Sequence, residues 1–558
     1  MGTNREAGVT GERQSFWRRH RWLKWVAGGM LTALAIAAVA AGVALKRAEP
    51  FLRERIVEEL EERFHARVEL DSFHVSLVNG LWAEGRGLRI WPPAHVASVA
   101  VPQGQGEPLI RLEEFRFHTS LELKLGKPIH ISLVELKGLS VHIPPRSHFE
   151  HGKAAGNAAK PRGAISGLVR FEVDRMECTG AELVMETDKP GKLPLEFQIA
   201  RFTVTDIAAG GKLGFDAELT NPKPLGTIHT TGSFGPWNGA DIGESPLEGD
   251  YRFEHADLGV FKGIAGILSS TGHYEGTLRD LVVDGETETP DFRLTHFGAA
   301  QPLTTRFHAR VDGTNGDTWL EPVDATLGQS HFTAQGQIVR VPGVVAEGAQ
   351  QYTGHDIALT VNVDKARIED FARLACRTGE SLLTGNITMK ATLHIPPGKA
   401  VVDDRMKLKG SFALEEARFT SDKIQGRIAE LSLRGQGRPD DLKSTDPASI
   451  LSEIQGRIQM AGGVITLPAL EYTVPGAQIQ LAGTYRLSDG ALNFTGTAKM
   501  ESSISKMVGG WKGMLLAPAD HLFKRDGAGA EVPIHIEGTR EEPKFGIDFE
   551  RLMPGEKR

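Results

Sequence analysis

Twenty-one residues without a charge, Trp25 to Leu45, constrain this 558-residue chain more than any other feature. At about 1.5 Å rise per residue, a helix of that length reaches roughly 30 Å, the thickness of a bilayer's hydrocarbon core. The flank before it carries Arg13, Arg18, Arg19, Arg21 and Lys24, with Trp17, Trp22 and Trp25 where indole rings settle at an interface. The positive-inside rule places residues 1–24 in the cytosol as a basic tail and residues 46–558 on the far side. Lys46, Arg47, Arg53 and Arg55 come after the run and weaken that bias. A cleaved signal peptide competes, because Ala38-Val39-Ala40 fits a small-x-small cleavage site. The run is longer than the usual apolar core of about 7–15 residues in a signal peptide. The expectation is therefore a single transmembrane anchor over residues 25–45.

The chain beyond this run is long enough for about three or four domains, or for one extended repetitive structure. A net charge of −7 makes nucleic acid a poor partner. Glycine, at 64 residues, supplies many turns, as all-β folds require. Cys178 and Cys376 make no disulfide framework; one bridge and two free buried thiols both fit.

Leu52, Ile56, Leu60 and Phe64 recur at steps of four after Pro50, with Val57 beside them and Arg53, Glu54, Arg55, Glu58, Glu59, Glu61 and Glu62 opposite. This predicts an amphipathic helix. Its acidic polar face does not suit anionic lipid, so it is expected to cap the open end of a sheet. From Arg67 the period changes to two: Val68 and Leu70, then Phe73, Val75 and Leu77; Leu121, Leu123 and Leu125; Leu139, Val141 and Ile143. These read as short strands. Residues 46–145 form a juxtamembrane helix and N-terminal β region, and residues 146–164, without periodicity, a flexible loop. Strands resume in a central region, 165–400, with helical breaks expected near 258–268 and 366–375. They continue through a C-terminal region, 401–558. There Ile479, Leu481, Tyr485 and Leu487 share a face, Asp489-Gly490 turns, and Leu492, Phe494, Ala498 and Met500 return. Ile504, Met507, Val508 and Trp511 mark a helical stripe.

Catalytic fingerprints are missing. No G-x-S-x-G, H-E-x-x-H, phosphate-binding loop or G-x-G-x-x-G occurs. Asp312 to Asp317 lacks the ligand series of a calcium loop and reads as an Asn-Gly turn. His148 and His151 sit in the aperiodic loop without further ligands at fixed spacing. We expect no enzyme, no metal and no cofactor.

Three stretches carry a resemblance. Ala66-Arg67-Val68-Glu69-Leu70 behind a single anchor, Leu136 to Ile143, and the segment Gly509-Gly510-Trp511 with Ile534 to Arg540 and Pro543 together resemble the AsmA-like family, whose architecture is related to TamB. The likeness covers both ends of the chain better than its middle. It implies a periplasmic protein of the inner membrane: a transmembrane helix, then a long twisted, grooved, antiparallel-rich β-sheet with a few short helices. It also implies a phospholipid partner moved between inner and outer membranes. Roughly 25 strands at about 4.8 Å give on the order of 120 Å of stacked sheet, modest for bridging two membranes, so either a distal envelope protein as a further partner or lipid handling near the inner membrane is expected. An assembly factor for outer-membrane proteins is the alternative, and a periplasmic hydrolase has no motif to support it. A two-layer β-sandwich is the fold expected without the resemblance. The residues expected to line the groove are Phe115, Phe117, Leu121, Leu123, Leu481, Tyr485, Phe494 and Trp511.

Overall fold

A computed structural model describes residues 46–508 and 529–547, apart from 48, 63, 65, 77–80, 93–106, 120–128, 146–170, 188, 190–192, 208–211, 239–240, 262, 296–297, 342–353, 375–380, 399 and 401. The run 25–45, the loop 146–164, Leu121, Leu123, Trp511 and Cys376 thus lie outside the described residues. Among the described residues, no helix is long and apolar enough to cross a membrane.

Among the described residues, period-two alternation becomes one sheet of 26 strands. Helix α1 (49–62) comes first. Strands β1 (Val68–Glu69) and β2 (Ser72–Ser76) both pair with β3 (Leu81–Ile90), followed by β4 (Ile110–Thr119), β5 (Ile129–Ile131) and β6 (Leu133–Ile143). Next come β7 (Phe171–Met185), β8 (Leu195–Ile207), β9 (Leu213–Pro222), β10 (Leu225–Phe234), β11 (Pro246–Asp257), β12 (Ile264–Ala265), β13 (Ile267–Thr277) and β14 (Asp280–Leu294). Then β15 (Gln301–Asp312), β16 (Asp317–Leu327), β17 (Ser330–Val341), β18 (Gly354–Arg367), α2 (Ile368–Leu374), β19 (Leu383–Ile395), α3 (Val402–Arg405), β20 (Lys407–Phe419) and α4 (Asp422–Gly435). The chain closes with β21 (Ser452–Ala461), β22 (Val464–Val474), β23 (Ala477–Arg486), β24 (Ala491–Met500), α5 (Ile504–Val508), β25 (Ala530–Thr539) and β26 (Pro543–Ile547).

From β7 onward each strand is antiparallel to its neighbour, so hairpin turns suffice. The exception is β7 against β5 and β6, both of which run parallel to it. A parallel neighbour needs a connection of about a dozen residues or more, and residues 144–170 provide it. Among the described residues no pairing joins β26 to β1 or β2, so the sheet is not closed into a barrel. Bulges fall near the ends of β11, β18 and β20, where His255, Lys365 and Glu416 adopt positive φ. Each bulge inserts residues while keeping Phe253 with Ala256, Val363 with Ala366, and Leu414 with Ala417 on one face.

Helix α1 forms as its spacing predicts and covers one end of the sheet. Leu52, Ile56, Val57 and Leu60 pack with Phe64 on a core of Leu70, Phe73, Ile90, Phe115, Phe117 and Val134. Its polar side chains reach the outer edge of β1 and β2. Arg53 Nε donates to the Leu70 carbonyl at 2.9 Å, Val75 N–H donates to Glu49 at 3.0 Å, and Val68 N–H donates to Glu61 at 3.3 Å. An edge with unsatisfied backbone groups invites pairing with another chain, and these contacts blunt it.

Two of the smaller helices cover other strand ends. Ile368 and Phe371 of α2 pack on Val363, Ile387 and Leu414. Ala429 of α4, with Ile428 and Leu431, packs on Tyr472, Val474, Ile479 and Ala498. Helix α2 matches the expected break near 366–375. The break near 258–268 is only a 3₁₀ turn, Leu258–Val260, before the strands continue. Helix α4 is a correction, since alternating strands were expected through that stretch. Its signal is local: Ser421 sits at the N-cap position, and Ile424, Ile428 and Leu431 recur at helical spacing. Leu487, expected on the β23 face, lies beyond the end of that strand.

Candidate functional site

Cross-strand registers define the two faces. One line of directly opposed residues runs Leu219, Ile228, Phe253, Ser270, Thr287 and Thr305 across β9 to β15. It continues through Ala325, Phe332, Val363, Met389 and Phe412 on β16 to β20. Gly456, Leu470, Leu481, Gly496 and Ile534 complete it on β21 to β25. A second line on the same face runs Phe215, Gly232, Gly249, Tyr274, Val283, Ala309, Leu320 and Gly336. It goes on through Leu359, Leu393, Leu408, Met460, Ile465, Tyr485 and Leu492. Neither line contains a charged residue. The opposite face is charged, as in Glu218, His229, Arg252, Thr271, Glu286, Arg306 and Asp324, which also face one another in sequence.

Burial along the apolar lines decides what they are. Val363 and Met460 are buried, but the other large side chains, from Phe215 and Phe253 through Leu359 to Leu481 and Tyr485, are half-buried. In a sandwich a second sheet would cover them. Here every strand among the described residues belongs to one sheet. The expectation of a two-layer sandwich is therefore corrected: among the described residues the cover comes from short helices at strand ends and leaves the mid-strand positions partly open.

Aromatic rings lie low on this face because glycine sits beneath them. A Cβ on Gly285 would meet the Tyr251 hydroxyl at 2.7 Å and the Phe307 ring at 2.8 Å, and one on Gly249 would meet the Tyr274 hydroxyl at 2.7 Å. The phenol protons are committed to the sheet. Ser270 Oγ donates to the Glu286 carbonyl, so Tyr251 donates to Ser270, at 3.0 Å. Thr230 donates to the Asp250 carbonyl, so Tyr274 donates to Thr230, at 2.6 Å. Burial raises the ionisation of both phenols. Tyr472, deeper under α4 and bonded to Ser452 at 2.7 Å, is pushed up to about 12. The rings offer faces and edges, not free donors.

The candidates drawn from the sequence divide into groups. Phe115 and Phe117 lie in the core under α1 and are buried. Leu481 and Tyr485 sit half-buried in the apolar lines, and Leu481 helps line a depression of about 670 Å³ over β20 to β24, with Phe412 and Leu470. Phe494 opposes Gly483 and is buried. Leu121, Leu123 and Trp511 lie outside the described residues. The central stretch, with Tyr251, Phe253, Tyr274 and Phe307, was not among the candidates. Its signal was present as Leu247, Gly249, Tyr251 and Phe253 at period two. Cys178 is a free thiol buried in the α1 core, its ionisation raised by desolvation. Among the described residues, no group of histidine, cysteine or carboxylate side chains is placed to hold a metal. Asp312 caps the turn before β16 by accepting from Thr314 N–H at 3.0 Å, which agrees with a turn rather than a calcium loop.

Compared with family models, curated proteins and solved structures, the chain matches none.

Proposed function

We propose that this chain is a membrane-anchored β-groove protein that binds phospholipid by its acyl chains and moves it between the inner and outer membranes. The observation that carries the reading is the pair of uncharged, half-buried lines, one crossing β9 to β25 and the other β9 to β24, in one sheet. Exposing large apolar side chains over so many strands is costly in water, at about 25 cal/mol per Å². A bound apolar chain offsets that cost without demanding a polar partner. A charged headgroup has no counter-ion on these lines and stays at the lips of the groove.

In this reading the run 25–45 tethers the groove at the inner membrane with its N-terminus cytosolic. The AsmA-like resemblance supplies the periplasmic setting. Three pairs of collinear pieces, β1 with β2, β5 with β6, and β12 with β13, reduce 26 strands to 23 rungs. At about 4.8 Å per step the sheet measures roughly 105 Å through its hydrogen bonds. That is modest for joining two membranes, so a distal envelope partner belongs to the proposal.

The test is detergent-free purification of residues 46–558 from cells, followed by lipid mass spectrometry and uptake of a fluorescent phospholipid. Co-purified phospholipid, or saturable uptake, is the expected result. A folded protein that carries no lipid and takes none up would refute the reading.

A further inference from the structure

Residues at opposite ends of the strands touch one another. Register fixes two rims: one holds the ends of β4 to β8 near Leu109, Ile143, Met185 and Leu195 and the β11–β13 connection, and the other holds the β10–β11, β13–β14, β15–β16 and β19–β20 connections. Ile242, from the β10–β11 connection, joins the buried cluster of Leu109, Ile143 and Met185, and Leu278 packs against it. Lys189, between β7 and β8, forms an ion pair with the buried Asp317 at the start of β16. The same ammonium donates to the Arg340 carbonyl at 2.9 Å, and Asp317 accepts from Arg340 N–H at 2.8 Å. Farther along, a Cβ on Gly263 would lie 3.0 Å from the Val402 side chain of α3.

From these contacts we infer that the sheet coils until its two rims meet, so that the stretch from the Ile242 cluster, past the Lys189–Asp317 pair, to the Gly263–Val402 contact is closed sideways. Twist of about 20–25° per strand, accumulated over several strands, brings opposite rims together in this manner. The inference rests on the proposed lipid groove and adds a route: cargo passes lengthwise beneath this seam and does not enter through it. The seam has an apolar part, the Ile242 cluster, and a polar latch. Removing one partner of the latch strands the other: Asp317 is 6% exposed and its lysine partner is mostly covered.

Two experiments test it on the full chain. Carbodiimide coupling should join Lys189 to Asp317 as an amide, found by mass spectrometry and absent in Lys189→Arg. A Gly263→Cys, Val402→Cys pair should form a disulfide on mild oxidation, and the oxidised protein should take up labelled phospholipid as fast as the reduced one. Absence of both cross-links overturns the apposed rims. Uptake lost on oxidation and restored by reductant overturns the lengthwise route. If cross-links form but neither state takes up lipid, the lipid reading fails and the route with it, while the apposition of the rims stands.

Discussion

The rings of Tyr251 and Tyr274 lie 6.4 Å apart at an angle of 32°, and Tyr251 rests over Gly285, two strands away from its own. The contact is to a side-chain hydroxyl and the Phe307 ring, not to backbone, so Gly285 can be substituted without breaking the ladder. Gly285→Val should lift the Tyr251 and Phe307 rings off the sheet. The expected loss of stability is about 1–3 kcal/mol, typical of overpacking. Phospholipid uptake should fall further than that loss explains. Equilibrium denaturation and uptake, measured on the same sample, separate the two effects.

Phe115 and Leu481 face the same side of the sheet but differ in cover. Phe115 is 7% exposed beneath α1, whereas Leu481 is half-buried. Phe115→Ala should cost about 3–5 kcal/mol of stability. Leu481→Ala should cost about 1 kcal/mol, because a partly solvated side chain loses less on truncation. Chemical denaturation that ranks them the other way would contradict the assignment of core and open face.

Tyr472 makes an alkaline prediction. Its folded ionisation, raised by burial to about 12, exceeds the unfolded value near 10. The stability tied to the neutral phenol is fully present below pH 10 and is lost as pH rises toward 12. The slope is about 1.4 kcal/mol per pH unit for this one group. Tyr472→Phe should remove that part of the slope. At pH 8 it should cost about 1–2 kcal/mol, because the buried Ser452 hydroxyl loses its partner.

On the charged face, His308 Nδ1 lies 2.8 Å from Asp284 Oδ1, and this hydrogen bond raises the imidazole's ionisation. A raised folded value gives stability that is present below the ordinary histidine range and lost as pH rises through the folded value. The pair is exposed to solvent, so the effect should shrink with added salt. In an NMR titration of His308, Asp284→Asn should move the midpoint down; an unchanged midpoint would show that the pair is not formed in solution.

Period-two spacing made most of the sheet legible. The hairpin through Asp489-Gly490 follows directly from alternation and turn chemistry, and helix α1 follows from its four-residue stripe. Helix α4 was less visible because Ile424, Ile428 and Leu431 are spread among Lys423, Gln425, Arg427 and Glu430, and strand patterns flank the segment on both sides. Alternation also cannot say whether an apolar face is covered. Phe115 and Leu481 carry the same local signal, and their difference arises because α1 folds back over β3 and β4. The meeting of Lys189 with Asp317 was not readable at all, since it depends on twist summed over the strands between them.

Site-specific photocrosslinking along β18 and β23 tests the central claim most directly. A benzophenone side chain placed at Leu359 or Leu481, on the apolar lines, should yield phospholipid adducts in cells. The same group at Thr360 or Gln480, one residue away on the charged face, should yield none. Adducts at Leu359 and Leu481 alone are the predicted result; equal labelling of both faces, or none on either, would contradict the account.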